Sequence, residues 1–167
     1  MRTLLERCYA LLLSLWLGAQ VVVGAIVAPA LFASLPDRSM AGTVAGEIFA
    51  RLGVAGVIGL ALLLALRAGL DASAQSSLSG RAVRAPRWVH YLLLLALVLT
   101  GFSHFWVRTN IASVRQQVQL AGGFASADPA LVRHFGALHG LSSGLFLITA
   151  LIALALVLRL RDSAVAD

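Results

Sequence analysis

Four long apolar runs, most of them fenced by arginine, constrain this chain more than any other feature. They cover Cys8 to Ala28, closed by Pro29; Leu52 to Leu66, between Arg51 and Arg67; Trp88 to Val107, between Arg87 and Arg108; and Phe135 to Leu158, between His134 and Arg159. About 20 consecutive apolar residues are needed to cross a ~30 Å hydrocarbon core as a helix. Inside that core every backbone N–H and C=O must be paired within the protein, which leaves helices or closed barrels. Continuous apolar runs without period-two alternation exclude barrel strands. The second run is short by itself and reaches spanning length only if its helix begins near Glu47. The reading is an all-α, integral membrane four-helix bundle. It is one domain over residues 1–167, with spans at about 6–30, 47–67, 88–107 and 135–159.

Composition agrees. Hydrophobic residues make up 60% of the chain, charged residues 12%, and the mean hydropathy is +0.92. A soluble domain of 167 residues needs a more polar surface. The net charge of +6 comes from arginine alone, since the sequence contains no lysine. This bias suggests a GC-rich bacterial genome and hence the inner (cytoplasmic) membrane. A basic chain can bind nucleic acid. Here the arginines stand at the ends of apolar runs, so anionic headgroups and topology explain them, and no nucleic-acid partner is expected. The lone Cys8 forms no internal disulfide and reads as a small apolar filler. A cleaved signal peptide competes for the first run, because Arg2 and Arg7 precede it and Ala28-Pro29-Ala30 resembles a processing site. The run is too long for that, and more spans follow.

Arginine counts orient the spans. Arg2, Arg7, Arg67, Arg81, Arg84, Arg87, Arg159 and Arg161 lie on one side; Arg38, Arg51, Arg108, Arg115 and Arg133 lie on the other. The larger group is favoured as cytoplasmic, so both termini are expected inside. Residues 71–80, rich in Ser, Ala and Gln, read as a flexible inner linker. In the outer loop, Ile111, Val114 and Val118 have roughly helical spacing, so a short surface helix is expected, ended by Gly122-Gly123. Asp128-Pro129 then caps the entry to the fourth span.

The candidate chemistry lies among the few polar residues in the runs. Gly136, Gly140 and Gly144 recur every four residues and predict close helix packing, as Gly53, Gly56 and Gly59 do in the second span. His139 sits inside that glycine face, with Ser142 and Ser143 at i+3 and i+4. His104 lies near the outer end of the third span. Because the third and fourth helices run antiparallel, both imidazoles fall at one depth. Glu47 and Arg51, spaced for mutual pairing, enter the same layer. Ionisable groups inside a membrane face the bundle interior or water. The candidate polar layer is therefore His104, His139, Glu47, Arg51 and Ser142, with Gln20 mid-span in the first helix. Two imidazoles and a carboxylate suit a metal ion, with His104 and His139 as ligands, or a proton relay. The plainer reading is a set of interfacial groups that fix packing. Gln20 itself reads first as one interhelical hydrogen bond.

Gly24, Ala28-Pro29-Ala30-Leu31-Phe32, Gly42, Gly46 and Phe49 in the first half, with Arg133, Phe135, His139 and Ser142 opening the fourth span, carry a resemblance over nearly the whole chain. They resemble a family of uncharacterised bacterial four-helix membrane proteins, domain of unknown function 4149, that groups with human transmembrane protein 205. The family pattern often has Asn four residues after that Ser; here the position is Phe146. The resemblance implies fold and membrane location. The human relative's link with platinum-drug resistance and vesicle traffic points toward export or sequestration of metal compounds. Haem-synthesis membrane proteins look superficially similar, but they carry a histidine in the first helix and a lysine, which this chain lacks. The expected function is a non-enzymatic, transport-related or accessory multi-pass component without a cofactor. Its partners are the bilayer and a membrane protein or a second copy. The alternative is a metal- or haem-binding redox protein using His104 and His139.

Overall fold

The computed structural model describes residues 2–75 and 86–165. Its elements are α1 (Arg2–Val21), a π-helical segment Val22–Val27, α2 (Ala28–Ser34), α3 (Arg38–Gln75), α4 (Arg87–Phe102), a π-helical segment Ser103–Val107, α5 (Arg108–Leu120) and α6 (Pro129–Val165). No strand occurs among the described residues. Through the π segments these merge into four rods, Thr3–Ser34, Arg38–Ala74, Arg87–Leu120 and Pro129–Leu160, each long and apolar enough to cross a membrane. The fold is the expected all-α bundle, and the chain is a multi-pass membrane protein.

The breaks between rods are written locally. Pro36 pushes Leu35 into extended backbone (φ −91°, ψ 132°), which ends α2. Asp37 then caps α3, its carboxylate accepting the N–H of Ser39 at 2.8 Å and of Met40 at 3.3 Å. Gly122 and Gly123 take positive φ (+87° and +101°), and Gly123 N–H returns to the Val118 carbonyl to close α5. Asp128 accepts the N–H of Ala130 at 2.7 Å and Pro129 opens α6, as the sequence reading expected. The first π segment has a local cause as well. Pro29 has no N–H to donate one turn back, and the wider turn before it, where Ala28 N–H reaches the Val23 carbonyl, eases the ring past the preceding backbone.

Two expectations are corrected. Residues 71–75, expected in the linker, belong to α3, which continues to Gln75; the remainder of 71–80 lies outside the described residues. The stretch 111–119 is not a separate surface helix. It prolongs the third rod, and its Val114 and Val118 are buried in the bundle. The rods therefore outrun the bilayer: the 38 residues of α3 span about 57 Å against a ~30 Å core. The excess lies mainly at the end opposite the termini, called here the distal end.

Around the bundle the order is α1, α3, α4, α6, with α1 closing against α6. The core of Tyr9, Leu13, Leu60, Leu63, Leu93, Ala96, Ile152 and Leu156 fills the half near the termini. Aliphatic side chains such as Leu11, Leu15, Ile58, Leu62, Leu94, Val98 and Leu151 are exposed on the outside. An apolar exterior over an apolar interior is what a lipid-embedded bundle requires.

Candidate functional site

Midway along the rods, polar atoms are buried where α1, α3 and α4 meet. Gly56 of α3 receives the ring edge of Trp16 from α1 and the methyl of Thr100 from α4: a Cβ there would stand 2.7 Å from Trp16 Cζ3 and 3.2 Å from Thr100 Cγ2. One turn toward the distal end, Gly53 receives His104, whose Nδ1 would lie 2.6 Å from a Cβ at that position. Gln20, one turn beyond Trp16 on the same face of α1, is 1% exposed. Thr149 of α6 comes within 3.0 Å of Gln20 Oε1 and within 2.9 Å of the Phe146 carbonyl. Small residues on α3 thus let large polar side chains reach the bundle centre.

This seam is not internally satisfied. Trp16 Nε1, Gln20 Nε2, Thr100 Oγ1 and His104 Nδ1 are all sealed from solvent and have no hydrogen-bond partner among the described residues. The Gln20 amide cannot escape by rotation. If its nitrogen faces Thr149 instead, the hydroxyl still donates to Phe146 and Oε1 becomes the orphan. A threonine in a helix commonly donates to the carbonyl one turn back; Thr100 Oγ1 makes no such bond. Buried polar groups are otherwise almost always paired, by protein or by ordered water. Four orphans along one seam mark a place suited to water or another small polar guest. His104 also lies within the second π segment, a geometry frequent at functional sites.

Charged clusters flank the seam. Toward the termini, Asp71 takes Arg67 Nη2 and, at 3.0 Å, His90 Nε2, while the Arg67 guanidinium stands 5.9 Å from the Tyr9 ring centre. Toward the distal end, Glu47 meets Arg108 at 3.6 Å. Arg115 lies against Gly42, with Nη1 3.3 Å from Thr43 Oγ1.

The predicted layer is distributed differently from the sequence reading. Gln20 and His104 enter the seam. Glu47 pairs with Arg108 rather than Arg51, which is exposed. His139 is exposed and stacked on Phe135 at 6.2 Å, so it and His104 turn to different neighbours. Ser142 is half-buried on α6, and Ser143 donates to the His139 carbonyl. Among the described residues no three His, Cys, Asp or Glu side chains group as a metal site, and this arrangement does not fit His104 and His139 as joint ligands. The glycine stripe is also corrected. Among the described residues nothing stands within 4 Å of where a Cβ at Gly136, Gly140 or Gly144 would lie, because that face of α6 turns away from the other helices. Close approach occurs instead at Gly53, Gly56 and at Gly24, which holds the Phe146 ring. Trp16 and Thr100 were missed as site residues. Their only sequence signal was their i, i+4 relation to Gln20 and His104.

Residues 11–119, more than half of the chain, match a family described as domain of unknown function (DUF4149). The match includes the Ala28-Pro29-Ala30-Leu31-Phe32 stretch and the α1, α3 and α4 parts of the seam, and leaves out α6. No curated protein and no solved structure matches.

Proposed function

Because the chain belongs to the DUF4149 family, whose description states no activity, we propose a function from the site itself: a non-enzymatic, transport-related membrane protein in which the buried seam carries protons. The single observation behind this is the row of unpaired buried atoms at Trp16, Gln20, Thr100 and His104. Tryptophan, amide, hydroxyl and imidazole groups supply donors and acceptors, and an imidazole accepts and releases a proton near neutral pH. Rings rather than open space fill Gly53 and Gly56, so a guest as small as a proton moving through one or two waters suits the seam better than a larger solute. The flanking Asp71–His90 and Glu47–Arg108 groups provide entry and exit. In this reading the chain resides in a bacterial inner membrane with both termini cytoplasmic, supported by the larger share of arginine at the terminal end.

Proteoliposomes loaded with a pH-sensitive dye and driven by a potassium gradient test it. Wild-type protein should admit protons faster than empty vesicles do. Gln20→Leu and His104→Ala should slow the flux severalfold, and His139→Ala should leave it unchanged. Vesicles no leakier than protein-free ones, or seam variants at full flux, overturn the proposal.

A further inference from the structure

Arg115 stands apart from the two arginines that meet carboxylates beside the seam. Arg67 has Asp71 and Arg108 has Glu47. Among the described residues no carboxylate pairs with Arg115. It is nevertheless half-buried and held in a defined place. Projecting from α5, it crosses to α3, where Nη2 lies 2.9 Å from the point a Gly42 Cβ would occupy and Nη1 lies 3.9 Å from that of Gly46. Its Cζ stands 5.7 Å from the centre of the Phe135 ring on α6. The Thr43 hydroxyl donates to the Ser39 carbonyl at 2.9 Å, so its lone pair is left to accept from Arg115 Nη1 at 3.3 Å. One weak bond engages one of five guanidinium N–H groups. None of its unpaired nitrogens is sealed from solvent.

Holding a guanidinium still without neutralising it prepares it for an anion. A flat fork of N–H donors matches the oxygens of a carboxylate or phosphate, and pre-ordering by Thr43 and Phe135 reduces the entropy lost on binding. The field at this end favours it. Arg38, Arg51, Arg108, Arg115 and Arg133 outnumber Asp37, Glu47 and Asp128, and the carboxylates of Asp37 and Asp128 are engaged as helix caps. We propose that Arg115, positioned by Thr43 and Phe135 over Gly42 and Gly46, is a binding site for a phosphate-type oxyanion at the distal end of the bundle. The site is separate from the seam and does not depend on proton passage. Its phosphate is that of an anionic lipid headgroup or of a soluble phosphate compound.

Thermal unfolding of the full chain tests this with two probes. Inorganic phosphate is titrated in neutral detergent against chloride at equal ionic strength, and nanodiscs of phosphatidylglycerol are compared with nanodiscs of phosphatidylcholine. A ligand that binds only the folded state raises the midpoint in proportion to its occupancy. Stabilisation by free phosphate identifies a soluble ligand; stabilisation by phosphatidylglycerol alone identifies the headgroup. In either arm Arg115→Gln should weaken the response roughly 10- to 100-fold, the effect of losing a hydrogen bond to a charged group. Arg133→Gln, an exposed arginine at the same end, should keep it. If Arg115→Gln does not fold, Arg115→Lys retains the charge without the fork and should still lose severalfold in response. No stabilisation of wild type by either probe, or an equal response in the Arg115 variants, overturns the site.

Discussion

Adding one methyl group at Gly56 or at Gly140 should have opposite effects, although the two glycines look alike in sequence. At Gly56 the new Cβ would meet Trp16 Cζ3 at 2.7 Å and Thr100 Cγ2 at 3.2 Å. Carbon atoms rest at about 3.5–4.0 Å, so the Trp16 ring must move by roughly an ångström. That ring is 9% exposed, flat and stiff, and its neighbour Leu13 is wholly buried, so movement propagates through the core. Overpacking of this kind costs about 1–3 kcal/mol, against which alanine recovers ~0.5–1 kcal/mol of helix propensity over glycine. Gly56→Ala should therefore destabilise by up to about 2.5 kcal/mol. At Gly140 nothing lies within 4 Å, so only the propensity gain applies and Gly140→Ala should be neutral or stabilising by up to ~1 kcal/mol. Unfolding each variant in mixed micelles by a denaturing detergent, followed by tryptophan fluorescence, measures both. A destabilised Gly140→Ala beside an unaffected Gly56→Ala would refute the assignment of inward and outward faces. Gly42→Ala is a milder companion, since the atom it meets is the tip of the long Arg115 side chain rather than a ring wedged in the core.

Two further outcomes follow from the ends of the helices. Asp71→Ala should cost about 2–4 kcal/mol in the same unfolding assay, because it leaves the Arg67 guanidinium, 15% exposed, without its carboxylate; Arg67→Met with Asp71→Leu should recover much of that loss. Asp128→Ala removes the acceptor for Ala130 N–H and should cost about 1 kcal/mol, with amide exchange accelerated at the first turn of α6 and unchanged at the centre of the bundle.

The chain by itself determined that it lives in lipid, how many times it can cross, and several of the points where its helices break. These are local matters: run length against bilayer thickness, proline after Leu35, two glycines after α5, and Asp128 before Pro129. Gln20 and His104 were legible as site candidates because a polar residue in an apolar run must find a partner or a function. The tertiary structure alone decided which way each helix faces. A soluble helix announces its inner face by an apolar stripe. In these rods both faces are apolar, because lipid and core make the same demand, so the period carries little signal and the stripe at Gly136, Gly140 and Gly144 could not be told from the one at Gly53 and Gly56. The partners that resolve it come from far along the chain: Trp16 and Thr100 for Gly56, His104 for Gly53, Thr149 for Gln20. Whether a glycine is a contact or a gap, and a histidine a seam residue or a surface one, depends on side chains from other helices that no local pattern specifies.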